Sequence, residues 1–135
     1  KGGDSNIMNE TMKNNVLVVD DELAVRQLHR KSLSKNYAVL EAQNGEEAVN
    51  MAQSQKPDII LMDMMMPKMD GLTACLAIKT NQITRGIPVV MLTAIDYELN
   101  KKLSKDVMGA DGYITKPFNT QALLKTISQL LPKHE

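Results

Sequence analysis

Three short apolar runs in this chain each end in a polar residue that is out of place on a buried strand. Val16-Leu17-Val18-Val19 runs into Asp20-Asp21, Ile59-Ile60-Leu61-Met62 into Asp63, and Val89-Val90-Met91-Leu92 into Thr93. A fourth, weaker run, Tyr113-Ile114-Thr115, ends at Lys116-Pro117. Continuous apolar runs of this length suit strands covered on both faces, as in parallel sheets sandwiched by helices. If these are neighbouring parallel strands, their polar ends meet at one carboxyl edge, which is where open α/β sheets bind ligands. Three carboxylates, a hydroxyl and an ammonium would then share a single pocket.

Helical patterns alternate with the strands five times, which predicts an α/β fold with helices on both faces of a parallel sheet. From Glu22 to about Ser34, Val25, Leu28 and Ser32/Leu33 follow a helical period, with His29 expected at the surface. Ala38 to Ala42 reads as a weaker strand nearer the sheet edge. Asn44-Gly-Glu-Glu47 has the form of a capping box, opening a helix that turns Ala48, Met51 and Ala52 inward and stops before Pro57. Asp70-Gly71 opens a third helix, with Leu72, Cys75, Leu76 and Lys79 marking its face. Asp96 is the expected N-cap of a fourth, whose stripe is Leu99, Leu103 and Val107. Gly109 to Gly112 reads as a turn. Asn119 caps the last helix, which carries Leu123, Leu124, Ile127, Leu130 and Leu131.

The chain has 135 residues, enough for one domain with its own core. Residues 1–14 are polar and aperiodic and read as a disordered tail, linker or tag remnant, leaving 15–133 as the domain. No apolar run approaches the ~20 residues of a membrane span. No apolar signal-peptide core is seen at the start, so a cytoplasmic location is expected. Sixteen basic and sixteen acidic side chains balance, which argues against nucleic-acid binding driven by bulk charge. Scarce aromatics also remove stacking platforms for single strands. The lone Cys75 cannot form an internal disulfide and suits a small buried apolar position.

The pocket's chemistry follows from its charges. Two carboxylates ~5 Å apart at an effective dielectric of ~20 repel by about 3 kcal/mol. A third carboxylate, from Asp20, Asp21 and Asp63 together, calls for a cation. All-oxygen ligands suit Mg²⁺ or Mn²⁺, and no His or Cys near these positions favours zinc. A carboxylate-held metal facing Lys116 suits phosphoryl transfer, the cations neutralising phosphoryl oxygens while a carboxylate supplies the attacking oxygen. Asp63 ends the most apolar strand and is the expected nucleophile. Thr93 is placed to donate to a phosphoryl oxygen.

In combination these segments resemble the receiver domain of bacterial two-component response regulators. The segments are Asp20-Asp21, Asp63 with Met-Met-Met-Pro-Lys-Met-Asp-Gly71 after it, Pro-Val-Val-Met-Leu-Thr93-Ala94, and Gly109-Ala-Asp-Gly-Tyr-Ile-Thr-Lys-Pro-Phe118. The similarity runs from about Asn15 to Leu131. It implies a doubly wound, flavodoxin-like fold of five parallel strands in the order 2-1-3-4-5 with five helices. By this resemblance Asp63 is the phosphoacceptor. Asp20, Asp21, Asp63 and the backbone carbonyl of Met65 hold Mg²⁺. Lys116 binds the phosphate, with a cis bond to Pro117, and Thr93 and Tyr113 form the switch pair.

The resemblance further implies a phosphoryl donor that is a histidine kinase or histidine phosphotransfer protein. It implies a module that is not a turnover enzyme, with weak self-catalysed phosphorylation and dephosphorylation only, and that is a monomer or weak dimer. Phosphorylation would draw in the Thr93 hydroxyl and let Tyr113 turn from an exposed to a buried rotamer. The face built by the fourth helix, fifth strand and fifth helix would then re-pack toward an output partner or domain. Lys101, Lys102 and Lys105 line the outer side of that fourth helix, as a solvated face or a partner contact. Met65 and Ile95 occupy the positions that tune hydrolysis in the family. Both are apolar, which predicts slow self-dephosphorylation.

Two other classes compete. A haloacid-dehalogenase-type phosphatase also uses a strand-end Asp and Mg²⁺, but wants a second Asp where Met65 stands. A flavin- or nucleotide-binding module of the same topology wants a Gly-rich loop after the first strand, where Asp20-Asp21-Glu22 stands. Whether the chain is a stand-alone regulator, part of a hybrid kinase or the front domain of a larger regulator is left open by the sequence.

Overall fold

The computed structural model describes residues 13–64, 66, 69–93 and 109–131. Five strands, β1 (Asn15–Val19), β2 (Ala38–Ala42), β3 (Ile59–Asp63), β4 (Val89–Thr93) and β5 (Gly112–Thr115), form one parallel sheet in the order β2-β1-β3-β4-β5. The described helices are α1 (Leu23–Leu33), α2 (Gly45–Gln55), α3 (Gly71–Thr80) and α4 (Thr120–Leu130). The doubly wound order expected from the resemblance is therefore present, with the weaker strand β2 at an edge. The helix expected over Leu99 to Val107, with its Asp96 cap and its lysines, lies outside the described residues, as does most of the expected tail.

Strand alternation sorts the core into two layers. Leu17, Val19, Ile60, Met62, Val89 and Met91 pack with Ala48, Ala52, Ala74, Cys75 and Ile78 of α2 and α3. Val16, Val18, Ile59, Leu61, Val90, Leu92 and Ile114 pack with Leu33 of α1 and with Leu123 and Ile127 of α4. The three central strands are buried on both faces, which is why their sequences read as unbroken apolar runs.

Local capping follows the sequence signals. Asn44 Oδ1 accepts from Glu47 N at 2.8 Å, while the Glu47 carboxylate reaches back to Gln43 N at 3.1 Å, one residue earlier than in the standard box. Asp70 Oδ1 accepts from Thr73 N, and Asn119 Oδ1 from Ala122 N. Cys75 is buried, and burial pushes its thiol up to about 11, so it stays protonated and inert at neutral pH.

Two expectations about helix faces are corrected. On α1 the inward stripe is Val25, His29 and Leu33, spaced i, i+4, i+8, so Leu28 lies 63 % exposed and His29 only 6 % exposed. Counting apolar residues favoured Leu28, whereas the helix phase set by Leu33 turns the imidazole inward, where it stacks on Phe118 with ring centroids 6.0 Å apart. On α3 the buried positions are Gly71, Ala74, Cys75 and Ile78, and Leu76 points to solvent. Lys79, one turn beyond Cys75, keeps a largely buried side chain that donates to Ile87 O at 3.0 Å and pairs with Asp111 at 2.9 Å.

Candidate phosphoacceptor site

The register of the sheet assembles the pocket. Val19 pairs with Met62, so Asp20 and Asp63 follow at one level on adjacent strands. Asp63 itself pairs with Leu92, and Thr93 with Thr115, so Thr93 and Lys116 complete the same edge. Asp20, Asp21 and Asp63 each offer a carboxylate oxygen within 4.8 Å of the others. Asp20 and Asp63 are buried and Asp21 is exposed, which leaves the cluster open on one side. Three anionic oxygen donors this close fit a hard divalent cation and fit poorly without one.

Backbone geometry holds Asp20 and Asp63 in place. Asp20 N donates to Ala42 O at 3.1 Å, and Asp20 Oδ1 accepts from Glu22 N at 2.9 Å, turning the chain from β1 into α1. Glu22 occupies the N-cap position without a side-chain cap, so neither it nor Asp21 serves the helix as Asn44 and Asp70 serve theirs. Behind Asp63, Met64 N donates to Leu92 O and Gly71 N to Met64 O, both at 3.0 Å. A Cβ on Gly71 would stand 2.3 Å from the Asp63 carbonyl oxygen, so only glycine lets α3 start this close to β3.

Lys116 Nζ lies 3.3 Å from Asp63 Oδ1, and Lys116 N donates to Thr93 O. The Lys116–Pro117 bond is cis. Thr93 is buried at the end of β4. Alternation puts it with Met91 and Tyr113 on the face covered by α2 and α3. Tyr113 is half-buried there with its phenol oxygen already turned away from solvent, so the exposed starting rotamer expected from the resemblance is not the one in this structure. Packing against the core layer of α2 and α3 holds the ring inward. Met64 packs into the core below the site, with Met66 and Met69 against it, so these methionines serve packing. Met65 and Ile95 lie outside the described residues.

A cavity of about 330 Å³ opens beside Lys116, lined by Val25, Leu28, His29, Pro117 and Phe118. Its wall includes the histidine that the sequence placed at the surface. Burial holds the imidazole below its ordinary value; Asp20 opposes that shift and Lys116 adds to it. The legible signal for this wall was the four-residue spacing from Val25 to His29 to Leu33.

The model of the response regulator receiver domain matches residues 16–128. The chain belongs to that family. It is 38% identical over 125 residues to the alkaline phosphatase synthesis transcriptional regulatory protein PhoP of Bacillus subtilis, covering 92% of this chain and 51% of that protein. It is 39% identical over 125 residues to the transcriptional regulatory protein ResD of the same organism, covering 92% and 50%. The chain thus spans about half the length of these relatives. Among solved structures, the chemotaxis protein CheY4 of Vibrio cholerae is similar, with a TM-score of 0.82, 35% identity, and coverage of 88% of this chain and 99% of that one. So is the receiver domain of a signal transduction histidine kinase from Syntrophus aciditrophicus, with a TM-score of 0.80, 31% identity, and coverage of 87% and 89%. As a receiver domain, the chain is a phosphoaccepting module of two-component signalling. Its acidic cluster is one that could hold a metal ion. Among the described residues no helix is long and apolar enough to cross a membrane.

Proposed function

We propose that Asp63 is the residue that takes the phosphoryl group, with Mg²⁺ held by Asp20, Asp21, Asp63 and the carbonyl of Met65. The observation that carries this reading is the Asp63 carboxylate lying between two kinds of partner. An ammonium is 3.3 Å away, and two further carboxylates lie within 4.8 Å. A carboxylate oxygen of Asp63 attacks phosphorus on a phosphohistidine of a histidine kinase or phosphotransfer protein. The P–O bond forms as the P–N bond breaks, and the departing imidazole keeps the electron pair. Bound Mg²⁺ supplies counter-charge for the phosphoryl oxygens. Lys116 brings a second positive charge to the same oxygens, and Thr93 donates a hydrogen bond to one of them.

The new phosphoryl charge biases a two-state element. Thr93 moves toward the phosphate, and Tyr113, on the same face of the sheet, fills the space it leaves. The output surface is the face that includes β5 and α4. Loss of the phosphate by water attack is slow, because neither Met65 nor Ile95 can position a water. The module turns over no substrate of its own. The family match from residue 16 supports a domain beginning near Asn15, and the reading carries a cytoplasmic location with it. Relatives named as transcriptional regulators support an output through a partner or a further domain, with no direct nucleic-acid contact by this module.

Borohydride reduces acyl phosphates to alcohols, so the test is to phosphorylate the protein with acetyl phosphate, reduce it and map the peptides. Homoserine at position 63 is the expected product. Reduction at another carboxylate would contradict the assignment.

A further inference from the structure

We propose that Arg26 is a positioning residue for the acidic cluster: it fixes the Asp20–Asp21 peptide so that both carboxylates face one cation. The inference rests on the metal reading above and concerns what holds its ligands in place. Arg26 is largely buried on α1. Its Nε pairs with Glu41 Oε1 of β2 at 2.9 Å, and its Nη1 donates to the Asp20 carbonyl oxygen at 2.8 Å. The next residue of β2, Ala42, accepts from Asp20 N at 3.1 Å. The edge strand therefore grips Asp20 at both peptide groups, directly at the nitrogen and through the guanidinium at the oxygen.

The carbonyl of Asp20 belongs to the peptide that leads into Asp21. Beyond Val19 that peptide has left the sheet ladder, and Arg26 replaces the ladder bond. A guanidinium is suited to this because its planar fork meets two acceptors at once. Arg30 provides an internal comparison. It pairs with the other Glu41 oxygen at 2.7 Å and donates to Val39 O at 3.0 Å, but the Asp20 carbonyl bond is made by Arg26. Both arginines hold Glu41 ionised, its carboxyl pushed below the ordinary range first by the hydrogen bond from Arg30.

Simple electrostatics and positioning give opposite signs. As a bare positive charge near the cluster, Arg26 opposes a cation, so its removal would tighten metal binding. As a positioning group, its removal weakens binding, as loss of outer partners does at other metal sites.

The test is Mn²⁺ titration of the full chain, followed by the electron paramagnetic resonance of the free ion, with circular dichroism as the check on folding. Arg26→Ala is expected to weaken Mn²⁺ binding about fivefold or more, and Arg30→Ala to stay within about twofold of wild type. Arg26→Lys keeps the charge without the fork, is expected to weaken binding in the same direction, and decides the matter if Arg26→Ala does not fold. Unchanged or tighter binding in the Arg26 variants, or an equal loss in Arg30→Ala, would overturn the inference. Absence of Mn²⁺ binding in the wild type would overturn the metal reading as well, whereas wild-type binding left intact by the Arg26 variants overturns this inference alone.

Discussion

Lys116 Nζ stands 3.3 Å from Asp63 Oδ1 although β4 lies between the strands that carry them. The lysine spans the end of β4, where Thr93 sits, and its own backbone is tied to Thr93 O. Carboxylate, hydroxyl and ammonium are thus arranged across three adjacent strands at one edge.

That arrangement gives Lys116 a measurable signature. Lys116→Met should slow acetyl phosphate labelling by about 10²-fold, the scale for loss of one charge-stabilising donor. It should also bind Mg²⁺ more tightly than wild type, because a competing cation next to Asp63 is gone. Calorimetric titration checks the second effect independently of labelling, and weaker Mg²⁺ binding would contradict the role.

Gly71 should not tolerate a side chain. Its added Cβ would meet backbone, Asp63 O at 2.3 Å and Met64 Cα at 2.8 Å, with no flexible group to yield. Gly71→Ala should cost about 1–3 kcal/mol in urea unfolding. The same displacement should lower the labelling rate of the folded variant, since α3 then pushes on the Asp63 peptide.

Much of this site was legible in sequence because its logic is one-dimensional. A polar residue at the end of an unbroken apolar strand marks the carboxyl edge whatever the order of strands, and Asn44, Asp70 and Asn119 announce their helices within four residues. What escaped depended on packing. His29 was misplaced because helix phase, set by Leu33 against the sheet, outranked the greater hydrophobicity of Leu28. The Arg26–Glu41 pair joins residues fifteen positions apart on different elements, and no local pattern signals it. The close approach at Gly71 reads in sequence only as a helix start.

Burial of His29 makes stability depend on pH. Its folded-state pKa lies below the ordinary 6.5, first through burial. Above that value the imidazole is neutral in both states. As pH falls through it, the unfolded chain gains a proton that the folded protein resists, so stability drops. The wild-type Tm should fall between about pH 7.5 and 5.5, and His29→Phe, which keeps a ring against Phe118, should remove most of that slope. An unchanged slope in the variant would assign the effect elsewhere.

The proposed function includes a long-lived phosphorylated form, on the apolar character of Met65 and Ile95. Met65→Asn supplies a polar amide where a water must be aligned, and should shorten the half-life by about tenfold, within the usual range for acid–base or water-positioning groups. The decay of labelled protein after removal of acetyl phosphate measures it. An equal or longer half-life would refute this account of the slow loss.

The most direct test of the whole account is the intact mass of the protein after incubation with acetyl phosphate, with and without Mg²⁺, for wild type and Asp63→Asn. The account predicts a single phosphate adduct on the wild type that requires Mg²⁺ and is absent from Asp63→Asn. An adduct that persists in Asp63→Asn, or a wild type that takes up no phosphate, would contradict it.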